Sequence, residues 1–97
     1  MMVVGTMRIT LTLFESASLK DKRSVVRRVR DRVGNRFNVS IVEIELLNDK
    51  EHTVLGIACM SNESAHAHAQ LMKILAFVEK LRLDAEVSDI ETEIVTL

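Results

Sequence analysis

The stretch NVSIVEIELLNDKEHTVLGIACMS, residues 38–61, decides the fold because two strand-like segments follow each other directly. NVSIVEIEL (38–46) is rich in β-branched residues and is typical of a strand. TVLGIACMS (53–61) is apolar on both faces, as expected of a central strand. Asn48 and Asp49 supply turn chemistry between them. The middle of the chain is therefore predicted to form a hairpin.

A segment with helical periodicity flanks this hairpin on each side. Upstream, Ser18 and Asp21 have the form of a capping box, which predicts a helix from Leu19, and Gly34 predicts its end. The apolar stripe of this helix is Leu19, Val26, Val29 and Val33. Downstream, Asn62 is the predicted cap of a second helix. The second stripe is Ala67, Leu71, Ile74, Val78 and Leu81.

Strands are predicted at both ends of the chain. Apolar and polar residues alternate from Met7 to Leu13, and AEVSDIETEIVTL (85–97) returns to a strand pattern with an irregularity near Ser88 and Asp89. The order is then β-α-β-β-α-β. Right-handed crossovers and layer packing convert it into an α+β, ferredoxin-like two-layer sandwich, a single domain over residues 1–97. The expected antiparallel sheet order is 4-1-3-2, with both helices on one face.

Composition excludes several classes of protein. A hydrophobic fraction of 47% and a charged fraction of 28% fit one small folded domain. The single cysteine excludes an intrachain disulfide and fits a reducing compartment. No apolar run approaches the ~18 residues of a membrane span, and Arg8 interrupts the N-terminal apolar stretch. We expect a soluble, cytoplasmic protein with no membrane contact.

The histidines and the cysteine do not have the spacing of a catalytic or metal site. His66 and His68 are two residues apart on a helix, so their side chains point in different directions and cannot share an ion. His52 lies in the predicted hairpin loop, and Cys59 lies inside an apolar strand, where an inert, packed thiol is expected. We expect no bound metal and no cofactor.

Two pairs of carboxylates are better candidates for an acid–base site than the histidines and the cysteine. Glu43 with Glu45, and Glu91 with Glu93, are each predicted to share one face of a strand. The predicted sheet order puts the two pairs on opposite edges, about 14 Å apart at ~4.8 Å per strand, too far for a dyad acting on one bond. Solvated edge-strand charges explain them, and we expect no enzyme activity.

The first predicted helix concentrates positive charge. Eight of the thirteen Lys and Arg lie between Lys20 and Arg36, with only two acids among them, whereas the rest of the chain is net negative. Three interpretations compete: a solvated face, a contact surface for RNA phosphates, and a docking surface for an acidic protein, including a second copy. For the RNA interpretation the expected contact residues are Lys20, Lys22, Arg23, Arg27, Arg28, Arg32 and Arg36.

The open face of the sheet is expected to repel phosphate. The chain has no Tyr or Trp, and none of its three Phe falls on this face, so bases have no aromatic platform there. The side chains expected on the open face are Thr10, Thr12, Glu43, Glu45 and carboxylates of the last strand. Val39, Ile41 and part of the third strand are expected to add apolar surface, which makes a homodimer through this face the alternative.

Three segments together resemble the YlxP-like family of small bacterial proteins, a domain of unknown function: SLKDKRSVVRRVRDRV (18–33), RFNVSIVEIE (36–45) and LGIACMSN (55–62). His66 falls where a family histidine is expected, whereas LLNDKEH (46–52) departs from the Asp/Gln/Trp-rich segment typical of members. The resemblance implies a ferredoxin-like fold and a bacterial cytoplasmic origin, and it brings no established activity. Genes of the family often lie beside those for translation initiation and small-subunit maturation, which favours the RNA interpretation.

The sequence thus predicts a non-enzymatic accessory protein that contacts RNA or a ribosomal subunit through its basic first helix. The alternative is a homo-oligomerising adaptor or regulatory domain that binds protein partners and has no nucleic-acid role.

Overall fold

The computed structural model describes residues 1–97 as six elements in the predicted order. The strands are β1 (Val3–Leu13), β2 (Ser40–Glu45), β3 (His52–Ser61) and β4 (Ala85–Thr96). The helices are α1 (Leu19–Arg36) and α2 (Ser64–Lys80). The strands form one antiparallel sheet in the order β2-β3-β1-β4, which is the predicted order. The ferredoxin-like α+β architecture is confirmed.

The start of α1 is confirmed and its predicted end is wrong. Ser18 Oγ accepts a hydrogen bond from the backbone N–H of Asp21 at 3.1 Å, and the helix begins at Leu19. Gly34 does not end it, because no glycine adopts the positive φ of a left-handed cap, and the helix continues to Arg36.

The cap of α2 also differs from the prediction. Glu63, not Asn62, is the N-cap residue, and its side chain makes no capping hydrogen bond. The predicted apolar stripe is confirmed, since four of its members are buried: Ala67, Leu71, Ile74 and Val78. Neither helix of the fold is long and apolar enough to cross a bilayer.

The core lies between the sheet and the two helices. The inward residues of β1 are all buried, as the alternation predicts: Met7, Ile9, Leu11 and Leu13. Gly5 allows α2 to approach this strand closely. A Cβ atom on Gly5 would lie 3.2 Å from Cys59 Sγ and 3.3 Å from Ala67 Cβ, so any side chain there would push α2 away from the sheet.

Two irregularities modify the sheet. The pairing of β4 with β1 shifts between Thr10 and Leu11, which confirms the irregularity predicted near Ser88. The pairing of β2 with β3 shifts between Glu43 and Glu45, with Ile44 as the extra residue. This bulge puts Glu43 and Glu45 on opposite faces of the sheet, so the prediction that they share one face is wrong.

The register of β2 on β3 decides which apolar side chains reach the open face. Val39 and Ile41 pack against the core on the helix side, so the prediction that they supply apolar contact on the open face is wrong. Val42, Ile44 and Met60 are the exposed apolar side chains of β2 and β3.

Candidate nucleic-acid interface

Lys22 is buried, so the prediction that it contacts RNA is wrong. The side chain of Lys22 has 0% exposure, and its Nζ lies 3.0 Å from Oε2 of Glu43. The same nitrogen donates hydrogen bonds to the backbone carbonyl of Leu46 at 2.7 Å, and to those of Leu47 and His52 at 3.2 Å each. Four protein oxygens therefore surround the ammonium group, and phosphate cannot reach it.

The burial of Lys22 follows from its position on the helix. Lys22 lies four residues before Val26, so it continues the inward stripe of α1. Its partner Glu43 also accepts a hydrogen bond from Thr53 Oγ1 at 2.6 Å. Glu43 is therefore not the solvated edge charge that the sequence predicts. Together the pair ties α1 to the β2–β3 loop, where Leu46 adopts a φ of 60° that non-glycine residues avoid.

The other seven basic residues of α1 are exposed and form no ion pair with a carboxylate. They are Lys20, Arg23, Arg27, Arg28, Arg30, Arg32 and Arg36. The ion pairs of the molecule join Lys22 to Glu43, Arg8 to Glu45 and His52 to Asp49. The outward positive charge of α1 is therefore not neutralised by the protein itself.

Helical periodicity divides these exposed cations into two rows. Lys20, Arg23, Arg27 and Arg30 follow one side of α1 at spacings of three and four residues. Arg28, Arg32 and Arg36 follow the other side at spacings of four.

The second row of cations runs along the groove between the two helices. Arg28 Nη1 donates a hydrogen bond to the carbonyl oxygen of Arg82, just after α2, at 3.3 Å. The guanidinium carbon of Arg36 lies 5.3 Å from the ring centroid of Phe77 in α2. These two contacts anchor both ends of the row to the neighbouring helix.

Helix α2 adds further cations to the same groove. Lys73 lies four residues before Phe77 and Lys80 three residues after it, so both share the side of α2 that faces α1. Both are exposed, as is Arg82. We call these cations the seam cluster: Arg28, Arg32, Arg36, Lys73, Lys80 and Arg82. Lys73, Lys80 and Arg82 are not among the residues predicted from the sequence, because the prediction rests on the charge of α1 alone.

The open face of the sheet has the opposite charge. Arg8, its only cation, is paired with Glu45 at 3.4 Å and lies opposite Glu91 in the β1–β4 register. Thr6 lies opposite Glu93 in the same register, and Thr10 lies opposite Asp89. The prediction of a polar, acidic open face is confirmed for Thr10, Thr12, Glu45 and the carboxylates of β4.

The remaining candidate residues have ordinary environments. Cys59 is buried, as predicted, and this burial raises the pKa of its thiol. His66 and His68 are exposed on α2, and His52 Nδ1 lies 3.2 Å from the Asp49 carboxylate. No group of three or more His, Cys, Asp or Glu side chains is placed to hold a metal ion.

These features define a small ferredoxin-like protein with a cationic helix layer and an acidic sheet face. The chain belongs to the DUF503 family of proteins of unknown function, whose model matches residues 4–92. It is 35% identical over 77 residues to the uncharacterized protein YlxP of Bacillus subtilis (strain 168). The aligned region covers 79% of this chain and 84% of that protein. Among solved structures, the de novo designed protein Foldit4 matches with a TM-score of 0.57 at 15% identity, over 100% of this chain and 99% of the other. That likeness concerns the fold alone.

Proposed function

We propose that this protein is a non-enzymatic accessory protein that contacts RNA, in a free transcript or a ribosomal subunit, through phosphates along its helix layer. The observation that carries the proposal is the set of exposed cations on α1 that have no carboxylate partner within the protein. Guanidinium groups bind phosphate oxygens with two parallel hydrogen bonds, and six of the seven exposed cations of α1 are arginines.

The charge distribution supports one orientation on a polyanion. The helix layer attracts phosphate, whereas the carboxylates of β4 and Glu45 on the opposite face repel it. RNA would therefore contact the helices and leave the sheet face free. Affinity from such contacts falls steeply with salt, because binding releases counterions from the phosphates.

The seam cluster is favoured over the first row of α1 cations, the row of Lys20 and Arg23, as the centre of the contact. Cations from two helices line one groove there, and Arg28 and Arg36 are already fixed by contacts with Arg82 and Phe77. A side chain that is fixed before binding loses less conformational entropy when it meets phosphate. The first row adds long-range attraction for the phosphates.

The experiment compares two variants that remove the same charge. In one, Arg28→Gln and Arg32→Gln remove two cations from the seam cluster. In the other, Arg8→Gln and Lys50→Gln remove two exposed cations from the sheet side and the β2–β3 loop. Binding to a labelled RNA hairpin and to purified small ribosomal subunits is measured by anisotropy and by co-sedimentation. We expect the seam variant to bind about tenfold or more weakly and the control to bind like the parent. Equal loss in both variants would reject a localised RNA surface.

A second function is supported by a specific feature of the open sheet face. Val42 and Ile44, which are 50% and 37% exposed, border a shallow groove of about 590 Å³ over β2 and β3. Exposed apolar side chains grouped on one face are typical of a protein interface. We infer that self-association through this face is the alternative role, as a homo-oligomeric adaptor or regulatory domain.

Sedimentation velocity at several concentrations tests this alternative. Val42→Lys should shift a dimer toward monomer, whereas Phe14→Lys, a change at an equally exposed apolar residue outside the groove, should not. A parent protein that stays monomeric at every concentration would remove self-association from consideration.

A further inference from the structure

We propose that the pocket beside the seam cluster binds one unpaired nucleotide of the bound RNA. The inference rests on the proposed RNA contact and names the feature of the RNA that the protein prefers. The pocket has a volume of about 420 Å³ and lies between the end of α1, the end of β3 and α2. The lining residues that carry its chemistry are Phe37, Met60, Ser61, His66, Gln70 and Lys73.

The size and the apolar lining of the pocket suit a base. Its volume falls within the ~300–1,000 Å³ range of small-ligand sites. Phe37 supplies an aromatic ring to the lining. The ring of Phe37 is held in place by edge-to-face packing on Phe77, with centroids 5.6 Å apart and planes at 78°. Unpaired RNA bases stack on such rings.

The polar groups of the pocket suit the edge of a base. The Gln70 amide has both donors and an acceptor, and His66 and Lys73 lie on the adjacent turns of α2 at i−4 and i+3. On the β3 side, pairing with β2 stops at Ala58. Met60 therefore has no strand partner on that side, and its backbone N–H and C=O are available to a ligand.

Lys73 connects the pocket to the phosphate surface. It lines the pocket and is also a member of the seam cluster, on the same side of α2 as Phe77. RNA phosphates that follow the seam cluster would bring the neighbouring nucleotide to the mouth of the pocket. A nucleotide that is bulged, looped or terminal can enter, whereas one held in a duplex cannot, because its base stays stacked and paired.

The test compares two labelled RNA hairpins that differ only by a single bulged adenosine in the stem. Affinities for the full-length protein are measured by anisotropy at low salt. We expect the bulged hairpin to bind about fivefold or more tightly, the scale of one stacked base. Gln70→Leu should remove this preference and leave the affinity for the fully paired hairpin unchanged. His68→Leu, an exposed change on another side of α2, should keep the preference.

The outcomes separate this inference from the proposed function. Equal affinity for the two hairpins would overturn the nucleotide pocket and leave the phosphate contact standing. Failure to bind either hairpin would overturn both. Free AMP is the third probe, and binding of AMP without binding of either hairpin would show that the pocket serves a soluble nucleotide, which contradicts the inference. A preference that persists in Gln70→Leu would also contradict it.

Discussion

Helix α1 carries cations of two kinds, and neighbouring residues show the difference. Lys22 points inward and meets the carboxylate of Glu43 and three backbone carbonyls. Arg23 points outward and meets no carboxylate. Their charge is the same, and their angle relative to the buried stripe of α1 decides what each can do. A count of charges therefore identifies a cationic helix. The side of the helix on which a cation lies then decides whether it is buried in the structure or exposed to a ligand.

The largest expected effect is the loss of the inward cation. Lys22→Met should lower the free energy of unfolding by about 3–5 kcal/mol, because Glu43, with a side chain only 16% exposed, would be left without its counter-charge. Urea denaturation followed by circular dichroism measures the change. Arg23→Met, one residue along, is the control and should change stability by less than about 0.5 kcal/mol. Similar losses in the two variants would show that burial does not distinguish these cations.

A smaller effect is expected when both members of the buried pair are replaced. Lys22→Met combined with Glu43→Leu should restore most of the stability lost in Lys22→Met, because no unpaired charge remains in the core. The remaining deficit should be about 1–2 kcal/mol, since Thr53 loses the acceptor of its hydroxyl. A double-mutant cycle in urea measures the coupling. Strictly additive losses would mean that the two side chains do not interact.

The smallest effect concerns the β2–β3 loop that Lys22 holds. The backbone N–H of Glu51 and the adjacent His52 keep the pKa of Asp49 below its ordinary value of 3.8. A lowered pKa in the folded state means that the ionised carboxylate stabilises the fold above about pH 3.8, and that this contribution is lost as the pH falls through the lower, folded-state pKa.

Asp49→Asn should therefore be slightly less stable than the parent at pH 7, and the difference should shrink below pH 3.8. Thermal melts at a series of pH values measure it. A difference that grows toward acid pH would show that the Asp49 carboxylate does not act through its ionised form.

Much of this architecture is predictable from the sequence because it depends on local periods. The alternation in β1 and the stripes of both helices fix which side of each element faces the core, and the order of elements then fixes the sheet. Lys22 was predictable in the same way, since it lies on the stripe of Val26, and Glu43 has the strand parity of the inward Ile41. The spacing of Lys22 predicts an inward side chain, whereas its charge favours a solvent-facing one, and the prediction followed the charge.

Other features depend on contacts that no local pattern contains. The bulge at Ile44 accompanies the close packing of this side chain on Gly56, where a Cβ atom would lie 3.0 Å from Ile44 Cγ2. That contact exists only when β2 and β3 pair in this register. The seam cluster likewise requires α1 and α2 to lie side by side, which brings Lys73 and Lys80 near the arginines of α1.

The salt dependence of RNA binding is the sharpest test of the cationic helix layer, because it counts the phosphate contacts made by the outward cations. The slope of log affinity against log salt is compared for the parent, for Arg28→Gln with Arg32→Gln, and for the control Arg8→Gln with Lys50→Gln. Two lost phosphate contacts should reduce the slope of the seam variant by about 1.4–1.8, while the control keeps the parental slope. Identical slopes for all three proteins would show that Arg28 and Arg32 do not contact RNA phosphates.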